Sequence, residues 1–283
     1  MKRRIRTYVS DGAVYLLLIL LSVFWVLPIL YLVYTSMRVT PSTGIINQLI
    51  PGNLRLGFGN FRRLFVGTDF PIWLKNTLIV SISSCALTTA FILMVSYALS
   101  RLRFRFRKPL MRLLLILGMF PGFMSMIAIY FILKAMGLTN SLLALVLVYS
   151  GGAALSYYIC KGFFDTLPRA LEEAALLDGA SQPMIFWKII LPMAKPIIVY
   201  TVLTSFIAPW CDFIFVNTII GESSKYTVSL GLYKMINAER NGFNDNFTVF
   251  CAGSVVVASI IVTLFMVMQP YYVEGITAGA VKG

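Results

Sequence analysis

Six stretches of about twenty or more predominantly apolar residues constrain this chain more than anything else in it. They run roughly over Ala13–Ser36, Trp73–Leu99, Leu110–Leu133, Ser141–Phe163, Pro196–Ile220 and Phe247–Gln269. Hydrophobic residues make up 59% of the sequence and charged residues 12%, a balance outside that of ordinary soluble domains. Within a bilayer every backbone N–H and C=O needs an internal partner, so only helices and closed barrels cross it. The runs are continuously apolar rather than alternating, which excludes the barrel pattern. The expected fold class is all-α, a polytopic membrane protein with six transmembrane helices.

Charge placement orients the chain. Lys2, Arg3, Arg4 and Arg6 precede the first stretch like the basic flank of a signal peptide. The apolar run behind them is about twice a signal length and no cleavage site follows, so an uncleaved anchor is expected. A cytoplasmic N-terminus puts fifteen Lys and Arg inside, among them Arg101, Arg103, Arg105, Arg107, Lys161, Arg169, Lys188 and Lys195, against nine outside. The inside loops are also the shorter ones, as the positive-inside rule requires. Both termini and residues 164–195 are therefore expected in the cytoplasm. The net charge of +13 reports topology, not nucleic-acid binding, and the alternating Arg and Phe of 101–107 read as an interfacial anchor. Residues 1–72 form an anchor helix and outer loop, and 73–283 the core. Asn60–Phe65 reads as a short interfacial helix, and 221–246 as a polar outer loop that caps the helices or meets an external partner.

Several chemistries are excluded. There is no histidine, which removes the usual general base and the commonest metal ligand. Cys85, Cys160, Cys211 and Cys251 lie in apolar stretches without ligand spacing, so no metal and no cofactor is expected. No Gly-x-x-x-x-Gly-Lys-Ser/Thr occurs, so ATP driving this protein would be hydrolysed by another polypeptide, and the chain is not read as an enzyme. A secondary transporter normally shows several midplane carboxylates or repeated halves; this sequence has one carboxylate well inside a stretch and no obvious repeat.

Between the fourth and fifth stretches lies a polar elbow, about 164–195. Pro168 opens a helix of about two turns, with Glu172 and Glu173 in the first turn where the macrodipole favours carboxylates. Ala174 and Ala175 leave a smooth face, and Gly179 is expected to end the helix with positive φ. Ser181 and Pro183 restart a second helix, and Pro192 and Pro196 set a bend into the fifth stretch. By residues alone this is either a docking surface or an amphipathic interfacial helix with Phe186 and Trp187 at the headgroups.

The run Glu173-Ala174-Ala175-Leu176-Leu177-Asp178-Gly179-Ala180, followed by Phe186, Ile189, Leu191-Pro192 and Pro196, resembles the cytoplasmic EAA loop of ATP-binding-cassette importer permeases. Asn76-Thr77-Leu78, Tyr97–Phe104, Gly162-Phe163-Phe164 and the tail Tyr272–Gly283 are similar to carbohydrate importer permeases, most of all the maltose-type second subunit. The resemblance implies the type I importer permease fold, with Glu172, Glu173, Ala174, Ala175, Asp178, Gly179 and Ala180 coupling to the ATPase. It implies a second permease subunit, two cytoplasmic ATPase subunits, an extracellular or periplasmic solute-binding protein and a carbohydrate substrate, in a bacterial or archaeal cell membrane. A polyol or glycerol phosphate is the alternative solute class. The tail 270–283, through Thr277, Ala278, Gly279 and Lys282, is expected to be disordered alone and to enter the ATPase dimer interface. Two departures from the family pattern stand out: Asp212, in a stretch that usually reads Trp-Asn-Glu-Phe, and Pro270, in place of a basic residue and expected to bend the start of the tail.

Intramembrane charges are usually functional. Asp212 falls roughly 24 Å along the fifth helix from Pro196, toward its outer end. It faces the substrate path beside the Trp210 ring, or it bonds to a neighbouring helix.

Overall fold

The structure, a computed structural model, describes residues 2–39, 55–120, 122–237 and 242–280, with the side chains of all but 2–11, 13, 123, 242–245 and 272–280. The Pro- and Gly-rich part of the outer loop and Lys282 lie outside the described residues. Helices account for the regular structure, and the one bridge among the described residues joins Arg38 to Leu56.

The helices are α1 (Lys2–Ser36), α2 (Gly59–Gly67), α3 (Phe70–Arg101), α4 (Arg107–Met119), α5 (Gly122–Ala135), α6 (Leu142–Gly151) and α7 (Ala154–Thr166). Then come α8 (Ala170–Leu177), α9 (Gln182–Met193, with a π-helical turn at Phe186–Ile190), α10 (Lys195–Cys211), α11 (Ile214–Ile219), α12 (Val228–Ile236) and α13 (Gly242–Ala280). Three spans are unbroken: Val14–Ser36, Phe70–Arg101 and Asn246–Tyr271. Counting each bent pair as one span, α4 with α5, α6 with α7 and α9 with α10, gives six.

The breaks correct the expectation of uninterrupted helices. Phe120 and Leu167, each preceding a proline, are extended at φ −72° and −74°, because the ring of the next residue disfavours the α conformation. Gly152 caps α6, and α7 leaves at 43°. The bend expected from Pro192 and Pro196 is present: α9 of the elbow meets α10, the start of the fifth span, at 83° with Ala194 between them. The fifth span stops at Cys211 rather than running on to Ile220. The tail differs as well: α13 runs through Pro270 to Ala280. Each residue added to an existing helix gains a hydrogen bond without a new nucleation cost, and Ala278 and Ala280 are the best helix formers.

The described residues divide into two units. The first, Met1–Phe70 with Leu232–Ser259, contains α2, which covers the Asn60–Phe65 helix expected from the sequence and whose Leu64 is fully buried. Asn60 donates to the Ser36 and Arg38 carbonyls at 2.9 and 2.7 Å, satisfying acceptors that the end of α1 leaves open. From Val14 to Leu30 the large apolar side chains of α1 are exposed, Trp25 by 75%, which suits a helix bathed in lipid.

The second unit, Pro71–Gly231 with Ile260–Gly283, is organised on α3. Ser81, Ser84, Thr88, Ser96 and Ser100 of α3 are buried, and small side chains let neighbouring helices approach closely. Thr88 donates to the Tyr149 carbonyl at 3.4 Å and Ser96 to the Tyr157 carbonyl at 2.9 Å. At its first turns, Asn76 donates to the Ser224 and Tyr226 carbonyls, and the Val228 N–H donates to Thr77. Asn76-Thr77 thus suspends the 221–226 segment, and Gly231 lets the Trp73 ring lie against α12: a Cβ there would come within 2.1 Å of it.

Candidate functional site: the elbow and the broken fifth span

The elbow is two helices joined by a turn that the sequence dictates. Gly179 sits at φ +84°, a conformation costly for any residue with a Cβ. Its N–H donates to the Leu176 carbonyl at 3.0 Å and the Ala180 N–H to the Ala175 carbonyl at 2.9 Å. These two bonds are the Schellman closure of a helix C-terminus. Glu173, Ala174, Asp178 and Gly179 are exposed, Ala175 and Ala180 half-buried. Leu177 is 90% exposed beside them, an apolar side chain held out between acidic residues.

Glu172 does not share that outward face. It is buried, its Oε1 2.8 Å from Arg101 Nε, with side-chain exposures of 11% and 4%. Loss of hydration raises the Glu172 carboxyl above its ordinary value, and Arg101 and Arg169 only partly offset this. Arg101 Nη2 also donates to the Phe164 and Leu167 carbonyls at 2.7 and 2.8 Å. Phe186 is buried rather than at a headgroup position, while Trp187 is 63% exposed. The Tyr97 ring lies against Phe164 and Phe186, with centroids at 6.1 and 4.9 Å, and its hydroxyl donates to Gln182. Around these side chains Ile92, Leu93, Cys160, Ile185, Ile190 and Ile197 close an apolar cluster.

Arg101 is the residue that sequence reasoning missed. In the sequence it is one of five cations between positions 101 and 108, with nothing local to distinguish it. Nor does anything local separate Glu172 from Glu173: the pairing is set by where the end of α3 arrives.

Asp212 lies at the break of the fifth span, extended at φ −86°, ψ 110°. Its Oδ2 accepts from the Tyr149 hydroxyl at 3.0 Å and its Oδ1 from the Phe215 N–H at 3.0 Å. The carboxylate therefore caps α11 and ties it to α6. Ser229 donates to the Asp212 carbonyl at 2.8 Å. Asp212 and Tyr149 also line a cavity of about 430 Å³ with Met126, Ile129 and Phe213. Trp210 is not in that lining; it is 3% exposed and packs on Phe206 with centroids 5.8 Å apart. Thr277, Ala278 and Gly279 lie on the last turns of α13. No group of His, Cys, Asp and Glu that would hold a metal occurs among the described residues.

Residues 86–271 match the family described as binding-protein-dependent transport system inner membrane component. Among curated proteins, the galactooligosaccharides transport system permease protein GanQ of Bacillus subtilis (strain 168) is 32% identical, over 99% of this chain and 98% of its own length. The maltodextrin transport system permease protein MalD of Streptococcus pneumoniae (strain ATCC BAA-255 / R6) is also 32% identical, over 100% and 98%. Among solved structures, a bacterial ABC transporter involved in the import of the acidic polysaccharide alginate shares the fold. Its TM-score is 0.75 at 22% identity, over 94% of this chain and 97% of that one.

Proposed function

The chain belongs to the binding-protein-dependent transport system inner membrane components, and on that premise we propose that it is one permease half of an ATP-driven importer for a sugar or oligosaccharide. It is a multi-pass membrane transporter subunit. Its partners are a second permease, two cytoplasmic ATPase subunits that hydrolyse the ATP, and an external solute-binding protein, with lipid around the spans. Residues 1–72 anchor the chain and 73–283 carry the transport core. The sugar reading draws on relatives named for galactooligosaccharide and maltodextrin transport.

The observation that carries this reading is the elbow α8, which holds Glu173, Ala174, Leu177, Asp178 and Gly179 outward on a rigid turn. An acidic, partly apolar knob of this kind suits a groove on an ATPase. The tail through Thr277–Gly283 adds a second contact, and Asp212 with Tyr149 marks the substrate path. Purified with its operon partners, the chain should retain ATPase subunits and take up labelled maltodextrin or galactooligosaccharide in proteoliposomes. Purification without any ATPase subunit would overturn the reading. Orientation has its own test. Single cysteines at Ser181 and Ser224, both exposed, in a background lacking the native four should label from opposite sides, position 181 only from the cytoplasm. Deleting Thr277–Gly283 should lower coupled ATP hydrolysis without lowering membrane insertion.

A further inference from the structure

We propose that Arg101 is the strut through which the elbow moves the membrane spans, and that Glu172 and Glu173 divide the labour: Glu172 fastens the elbow to Arg101, Glu173 meets the ATPase. The inference rests on the docking reading of α8 and adds to it the route by which force leaves that helix.

Residues 167–169 join α7 to α8 as a non-helical link, with Leu167 extended at ψ 139°. Left alone, such a link is a hinge, and a push on α8 would bend it. The Arg101 guanidinium lies across the joint. Nη2 holds the Phe164 and Leu167 carbonyls on the near side by hydrogen bonds, and Nε faces Glu172 Oε1 on the far side as a buried ion pair at 2.8 Å that lacks hydrogen-bond alignment. A planar fork with several donors in fixed geometry suits this task, and a lysine ammonium does not reproduce it. The carbonyls belong to the C-terminal end of α7, where a cation is favourable. Arg101 is itself the last residue of the 32-residue α3, so displacement of α8 carries α3 and α7 with it. Ser100 donates to Asp165, a second tie between α3 and α7 beside the strut, and Lys161 pairs with the same carboxylate from within α7.

Glu172 is nearly out of solvent, so an ATPase has little of it to touch, whereas Glu173, one position on, is exposed. Arg101 and Glu172 are therefore positioning residues for coupling.

The test uses the assembled transporter in proteoliposomes with binding protein and sugar. ATPase-subunit retention and sugar imported per ATP hydrolysed are compared for Glu172→Gln, Arg101→Lys and Glu173→Gln. The first two should insert normally and keep their ATPase subunits, while sugar imported per ATP falls on the order of tenfold, within the usual span of a coupling free energy. Arg101→Lys should fall further than Glu172→Gln, because it weakens the carbonyl bonds too. Glu173→Gln should instead lose ATPase subunits. Wild-type coupling in both strut variants overturns the proposal. Loss of ATPase subunits from Glu172→Gln equal to that from Glu173→Gln overturns it as well, and places Glu172 in the docking face. Should Arg101→Lys fail to reach the membrane, the near-isosteric Glu172→Gln decides alone. A wild-type chain without ATPase subunits refutes the docking reading itself, and the strut with it.

Discussion

At the last residue of α3, Arg101 grips Glu172 with both side chains almost wholly out of solvent. Twenty-five residues earlier, roughly 38 Å along the helix, Asn76 and Thr77 suspend a segment whose ion pair, Lys225 with Glu222 at 3.1 Å, stands 39% and 58% exposed. The two glutamates titrate in opposite directions. Burial raises Glu172 despite its arginine. Lys225, aided by the Asn140 amide, lowers Glu222. Desolvation therefore decides the sign at one end and the partner decides it at the other. A buried pair is expensive to form and expensive to break, which makes a stiff joint. An exposed pair contributes little, so the 221–226 segment depends on the neutral bonds of Asn76 to the Ser224 and Tyr226 carbonyls and of the Gly221 and Glu222 N–H groups to Asn140, with Thr77 holding the start of α12 just beyond it.

The largest expected effect tests the stiffness of the elbow. Gly179→Pro cannot adopt φ +84° and removes the N–H that closes on Leu176, so sugar uptake should disappear while the protein still inserts. Normal uptake would show that the turn transmits nothing. At the other end of α3, Gly231→Ala drives a Cβ to 2.1 Å from the Trp73 ring. Overpacking of this kind costs about 1–3 kcal/mol, and the thermal unfolding midpoint in detergent should fall accordingly. An unchanged midpoint would mean that α12 does not pack there as described.

Acidity separates the two ends more finely. Glu172 has a raised value, so its contribution is fully present below the ordinary glutamate range and declines as pH rises through the raised value. Glu222 has a lowered value, so its contribution is present above that range and is lost as pH falls through the lowered value. Hydrogen exchange, corrected for intrinsic rates, should show the Lys225 and Tyr226 amides less protected in acid, and Glu222→Gln should flatten that trend. The smallest effect belongs to Lys225→Ala, expected to lower the thermal unfolding midpoint barely at low salt and not at all in high salt. A larger loss that survives salt would make the exposed pair structural and erase the contrast.

Much of this arrangement was legible in the residues. Apolar run length placed the spans, and Gly179 set the elbow turn because positive φ all but demands glycine. The fifth span was misread as continuous to Ile220, since nothing in Trp210-Cys211-Asp212-Phe213 compels a break. The break holds because Tyr149, from a distant helix, satisfies the carboxylate alongside the local Phe215 N–H. The tail was misread as disordered because its small residues lack a core of their own, although α13 carries the helix through them.

What the sequence determined by itself was chemistry and periodicity: an all-α membrane protein without histidine, and an acidic elbow ended by glycine. What only the tertiary structure decided was partnership. Glu172 and Glu173 are identical in type and adjacent in the chain, and a helix turns by 100° between neighbours. Which of them meets solvent depends on where Arg101 arrives, from a helix some seventy residues earlier, and no local pattern records that.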